Sequence, residues 1–149
     1  MRIAIQEDML PGRSVIEKFE QAKALGVQGI EFWGRGIDMR VEQIVEAAER
    51  TGLKPAMLNH GRQGRILDPD YLSREAALEE LRTSIMAAAD MGAAGVVFVP
   101  HFYGSLMPDL SPWMTAAELE AEMLHMHFRS LSDYADAIGV MLLIEPVNH

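Results

Sequence analysis

A single carboxylate, Glu145, closes the apolar run Val140-Met141-Leu142-Leu143-Ile144 and is followed at once by Pro146. Such a run, led by Gly139, reads as a strand buried on both faces of a parallel sheet. Proline cannot donate to the ladder, so the chain leaves the sheet there and Glu145 stands at the strand's C-terminal end. That end is where parallel α/β folds keep their chemistry. Two histidines hold comparable places. His60 ends the stretch Pro-Ala-Met-Leu-Asn-His, and His101 follows Gly-Val-Val-Phe-Val-Pro. Imidazole with carboxylate suits Zn, Mn or Fe, and carboxylate-dominated sites suit Mn and Mg. Glu145, His60 and His101 are therefore candidate ligands of a divalent metal. The alternative for each histidine is a hydrogen-bonded residue lining a pocket without metal. Their spacing is not a local motif such as H-E-x-x-H, so the assignment needs a fold that brings distant strand ends together.

Two aromatic residues sit near those ends. Trp33 follows Glu31 on the same face of a strand, and Trp113 lies in a loop with Pro108 and Pro112. Each either walls a substrate ring or packs at the edge of the core. His125 and His127, two apart on a helix, point to different faces and read as surface or packing residues. Arg62 and Arg65 could meet an anionic group, but loop arginines are more often solvated. No G-x-S-x-G elbow is present for a serine nucleophile. The eleven methionines read as core filler.

The elements that must position these residues recur as strand, loop, helix and glycine. Strands are expected at residues 2–6, 29–34, 55–60, 95–100 and from Val140 to Glu145. Helices are expected between them, opened by capping boxes at Ser14/Glu17 and Thr115/Glu118 and by Asp38 and Ser73. Gly26, Gly52, Gly92 and Gly139 end the helices. This rhythm implies a parallel α/β sheet with right-handed crossovers. The first loop lacks G-x-G-x-x-G, which weakens a dinucleotide-binding reading. A (β/α)8 TIM barrel takes about 250 residues, so five strands and four helices are a partial barrel.

Composition bounds the partners. The chain has 149 residues, a net charge of −9 and no cysteine. Excess negative charge repels phosphate backbones, so nucleic acid is disfavoured. Without cysteine there is no disulfide, thiolate nucleophile or Cys-ligated zinc. No apolar h-region or stretch of about 18 apolar residues is seen, so neither a secretory signal nor a membrane span is expected. The expectation is a cytoplasmic protein acting on a small molecule.

Three stretches resemble a known family. Gly29-Ile30-Glu31-Phe32-Trp33-Gly34 resembles the second strand of the xylose-isomerase-like TIM barrels. Ala88-Ala89-Asp90-Met91-Gly92, leading to Gly95-Val96-Val97, is similar to their third helix and fourth strand. Ile144-Glu145-Pro146-Val147-Asn148 is similar to their fifth. The group includes ketose 3-epimerases, hydroxypyruvate isomerase, inosose dehydratase and metal-dependent abasic-site endonucleases. The resemblance implies that residues 1–149 are the N-terminal portion of one such barrel. It implies that Glu145 both holds a divalent metal (Mn, Zn, Mg or Co) and works as an acid/base at a carbon beside a sugar carbonyl. A second glutamate on strand eight would be its counterpart. Trp33, Trp113 and Asn148 are then taken to contact the sugar. Histidines at the ends of strands three and four bind metal in the endonucleases, and His60 and His101 hold those places. His149 stands where many epimerase-like members have arginine. Ligands on strands six to eight are not in these residues, so the chain alone is expected to be inactive. Two alternatives stand beside the isomerase reading: an abasic-site metallo-endonuclease, and a non-catalytic half-barrel that associates. A homo-oligomer is expected.

Overall fold

Parallel strands cannot be joined by tight turns, and each needs a crossover long enough to return the chain to the same edge. The computed structural model describes residues 1–61, 64–100 and 104–146. It shows strands β1 (Ala4–Gln6), β2 (Gly29–Trp33), β3 (Lys54–Asn59), β4 (Gly95–Phe98) and β5 (Met141–Ile144). Helices α1 (Val15–Ala24), α2 (Val41–Thr51), α3 (Tyr71–Asp90) and α4 (Ala116–Ala137) make the crossovers. All neighbouring strands are parallel and stand in chain order, β1-β2-β3-β4-β5. A doubly wound sheet reverses its order at a switch point. This one does not, and it is the wall of a partial (β/α)8 barrel.

Local chemistry sets the helix starts. Ser14 and Glu17 form the expected box: Ser14 Oγ accepts from Glu17 N, and Glu17 Oε2 accepts from Arg13 N and Ser14 N. Thr115 and Glu118 repeat it before α4. Asp38 does not cap α2. It lies in a 3-10 turn, Ile37–Met39, and α2 opens after Arg40 without a side-chain cap. Arg40 is engaged elsewhere, as described below. Helix α3 starts at Tyr71, two residues before the expected Ser73, with Asp70 as its cap accepting from Ser73 N at 2.8 Å. Gly52 closes α2 at φ 77°, a left-handed conformation that glycine adopts without strain.

The core lies between the sheet and the helices. Ile30, Phe32, Leu58, Val96 and Phe98 point to the helix side and are fully buried. Phe19 of α1 stacks on Phe32 with ring centroids 5.9 Å apart, and Phe128 of α4 stacks on Phe98 at 6.2 Å. Glu31 and Trp33 alternate to the opposite, inner face. A register shift between Ile30 and Glu31 matters here: Ile30 pairs with Pro55 but Glu31 with Met57. The extra residue, Ala56, aligns Met57 and Asn59 with Glu31 and Trp33 on the inner face.

Strand β5 departs from the expectation of burial on both faces: Met141, Leu143 and Ile144 are exposed. The reason is its position. Among the described residues it pairs with β4 alone, and α4 packs against it only in part. The result is an apolar groove of about 490 Å³ lined by Leu124, His125, Phe128, Arg129 and Ile144, on the helix side of the sheet.

Candidate active site at the C-terminal ends of the strands

Register fixes which side chains meet on the inner face. Gln6 pairs with Glu31, and Glu31 with Met57. Trp33 pairs with Asn59, Asn59 with Val97, and Val97 with Leu143. Glu145 lies two residues beyond Leu143 and shares its face. Its backbone N–H donates to Phe98 O at 2.9 Å, so the ladder holds it one residue past the end of β5. Burial raises the Glu31 carboxyl above its ordinary range, and the negative charge of Glu145 raises it further. Two acids from β2 and β5 thus face one volume, 114 residues apart in sequence.

A buried ion cluster braces the rim. Glu7 follows β1 in a 3-10 turn, Glu7–Met9, and is 2% exposed. Arg40 donates to both its carboxylate oxygens, at 2.9 and 2.7 Å, and Lys18 of α1 approaches at 3.4 Å. Burial alone would raise the Glu7 carboxyl. The hydrogen bonds and charge of Arg40, with those of Lys18, outweigh it and hold the group below its ordinary value. Arg40 therefore ties the turn after β1 to the start of α2.

The structure places the expected residues unequally. His60 is 6% exposed, and its Nδ1 lies 2.9 Å from the Ser84 hydroxyl of α3. It follows Leu58 onto the helix side of the sheet, the face opposite Glu145, so the structure does not bring these two expected ligands together. Trp33 is at the mouth, with its indole N–H donated to Asp8. Trp113 is 86% exposed in the loop before α4, so it does not pack at the edge of the core. His101 and Asn148 lie outside the described residues, as do Arg62 and His149. His127 is buried between α4 and α3, a packing position as expected, while His125 is exposed.

Two residues carry more than the sequence suggested. Alternation placed Glu31 with Trp33 among the strand-end side chains expected to converge at a barrel mouth, but did not single it out as the acid that feels the charge of Glu145. Glu7 reads as one more acid in a polar turn, and only the fold shows Arg40 reaching it across 33 residues.

The inner-face donors suit a divalent cation in part. Burial is the larger cause of the raised Glu31 carboxyl, and a cation between Glu31 and Glu145 would relieve the repulsion that adds to it. Among the described residues no three or more His, Cys, Asp or Glu side chains converge on one point. The described part of the chain offers an anchor and not a closed coordination shell.

A sheet wound in chain order, helices on one side and acids on the other at the strand ends define half of a TIM-barrel mouth. The chain belongs to the xylose isomerase-like TIM-barrel family, whose profile matches residues 19–149. It is 27% identical over 150 residues to a 3-dehydro-D-guloside 4-epimerase of Escherichia coli strain K12, covering 99% of this chain and 57% of that protein. The crystal structure of a 3-keto-D-glucoside 4-epimerase from E. coli superposes with a TM-score of 0.83 at 25% identity, again over 99% of this chain and 57% of that one. The IolI protein with a bound zinc atom shares the fold, with a TM-score of 0.74 at 16% identity over 97% of this chain and 51% of its own. The chain thus spans a little over half the length of the curated relative.

Proposed function

We propose that this chain forms the N-terminal wall of a metal-dependent sugar isomerase or epimerase, which moves a proton at the carbon beside a carbonyl. The observation that carries the reading is the shared inner face of Glu31 and Glu145 at the strand ends. The 4-epimerase activity of the relatives gives the reaction class, and the zinc-bound neighbour supports a metal.

In this reading Glu145 has two roles. It would help hold a cation, and its carboxylate takes the proton when the adjacent C–H bond breaks. The electron pair then goes to the carbonyl oxygen, and return of a proton to the other face completes epimerisation. A bound divalent cation would supply charge stabilisation at the substrate oxygens. Glu31, whose carboxyl is raised by burial and by the charge of Glu145, stands beside Glu145 on the inner face. Trp33 forms part of the rim around the sugar. Residues 1–149 then belong to a single barrel domain whose remaining wall and ligands come from outside these residues, and the 149 residues alone do not turn over. The charge of −9 weighs against the endonuclease alternative, because phosphate contacts supply most DNA affinity.

The test is solvent deuterium exchange into a 3-keto-glucoside, followed by NMR, with the full-length protein and added Mn²⁺. Exchange beside the carbonyl is expected in wild type, and its loss by at least about a hundredfold in Glu145→Gln. Unchanged exchange in that variant rejects the role.

A further inference from the structure

The rim of the mouth holds an arrangement that acid/base chemistry does not require. Trp33 ends β2, and its indole Nε1 donates to Asp8 Oδ2 at 2.8 Å. Asp8 is itself fixed. Gln6 Oε1 accepts from its backbone N–H at 2.7 Å, and its neighbour Glu7 is locked by Arg40 and Lys18. The negative charge of Asp8 adds to that of Glu7 in holding the Arg40 cation. From the other side the six-membered ring of Trp33 closes on Gly61, just past β3. A Cβ there would fall within 2.9 Å of Cζ3 and nearer still to Cε3, and Gly61 has φ 55°. Three strand ends thus converge on one indole, which remains 37% exposed.

An exposed tryptophan that only filled space would need neither a fixed N–H nor a glycine cut away beneath it. Tryptophan offers a broad apolar surface with one polar handle. Holding that handle removes the ordering cost otherwise incurred when a ligand binds. The C–H face of a ring-closed sugar is flat and apolar enough to lie on such a surface. An acyclic polyol presents hydroxyls along its length and loses more torsional freedom.

We propose that Asp8 is a positioning residue that holds the Trp33 indole as a stacking surface for a ring-closed sugar, so that the site selects glycosides over acyclic ketoses. This deepens the isomerase reading by naming its substrate class. Arg40 and Glu7 act one step further back, by fixing the turn that carries Asp8. Gly61 provides clearance for the ring.

The experiment measures binding, so that it stands apart from catalysis. The full-length protein is titrated calorimetrically with methyl α-D-glucopyranoside and with the acyclic polyol D-glucitol. The Glu145→Gln variant is titrated in parallel, and glucoside binding there keeps the inference separate from the proton-transfer role. We expect the glucoside to bind more tightly than glucitol. Asp8→Ala and Trp33→Phe should each weaken glucoside binding by about tenfold, the scale of one lost charge-assisted hydrogen bond. Asp8→Asn should restore most of it, because its amide oxygen still accepts from the indole. Asp8→Ala combined with Trp33→Phe should be no weaker than either alone, since both act through one surface. Equal binding of the two probes, no glucoside binding, unchanged affinity in Asp8→Ala, or fully additive losses in the double variant would each overturn the proposal. If Asp8→Ala does not fold, Trp33→Phe, which removes the indole N–H, carries the comparison, and unchanged glucoside affinity there overturns the proposal.

Discussion

Replacing Arg40 by Met tests the brace that fixes the rim. The substitution keeps the aliphatic stem and removes both hydrogen bonds to Glu7, at 2.9 and 2.7 Å. It leaves a carboxylate whose side chain is 3% exposed with, among the described residues, Lys18 at 3.4 Å. Breaking a buried pair on one side costs about 3–5 kcal/mol. Arg40 keeps 30% side-chain exposure, so its own desolvation is partial, and Lys18 still shields Glu7. We therefore expect a loss of about 2–3 kcal/mol. With a urea slope of about 1–3 kcal/mol/M, the midpoint should fall by about 0.7–3 M at unchanged slope. Acid sensitivity gives an independent readout. The folded Glu7 carboxyl lies below its ordinary value, so its contribution is present above the unfolded value and is lost as pH falls through the folded one. In Arg40→Met that acid-dependent loss should shrink, because burial is no longer outweighed by the hydrogen bonds and charge of Arg40. Adding Glu7→Leu to Arg40→Met should recover at least about 1 kcal/mol, because no unpaired charge then remains buried. A loss below about 0.5 kcal/mol for Arg40→Met, or simple additivity in the double variant, would refute the brace.

Two further predictions follow from titrating groups. Glu31 is raised by burial and by Glu145, so the folded state holds its proton more tightly than the unfolded chain. Its favourable contribution is present below the unfolded value and declines as pH rises through the folded one. Glu31→Gln should thus be more stable than wild type at pH 8 and no different at pH 4, by urea midpoint; lower stability at pH 8 would contradict this. His127 is lowered by burial, then by the charges of Arg74 and Arg82, against an opposing pull from Glu75. Stability should fall as pH drops below about 6.5 through the folded value, and His127→Gln should flatten that slope between pH 7 and 5 in thermal melts.

Much of the scaffold was readable because its signals are local. Ser14 with Glu17 and Thr115 with Glu118 specify helix starts within four residues, and glycine closures such as Gly52 specify ends. The apolar runs mark all five strands, to within a residue or two at their ends. What failed was set by distant partners. Asp38 has a good capping side chain, but Glu7 draws Arg40 into the position before α2. β5 has the composition of an enclosed strand, and among the described residues β4 is its one strand neighbour, so that burial is not seen here. His60 followed the alternation correctly, on the face of Leu58. Only the coordinates show that this face meets Ser84 and not Glu145. The shift at Ala56 left no clear mark in sequence, yet it decides that Asn59 and Glu31 share a face.

The central claim is that Glu145 anchors a cation on the inner face, beside Glu31. Anomalous diffraction from Mn²⁺-soaked crystals of the full-length protein tests it most directly. A peak is expected about 2.0–2.3 Å from a Glu145 carboxylate oxygen, on the side of the sheet that carries Trp33 and Asn59. A fully occupied ion held elsewhere, with Glu145 outside its coordination shell, would contradict it.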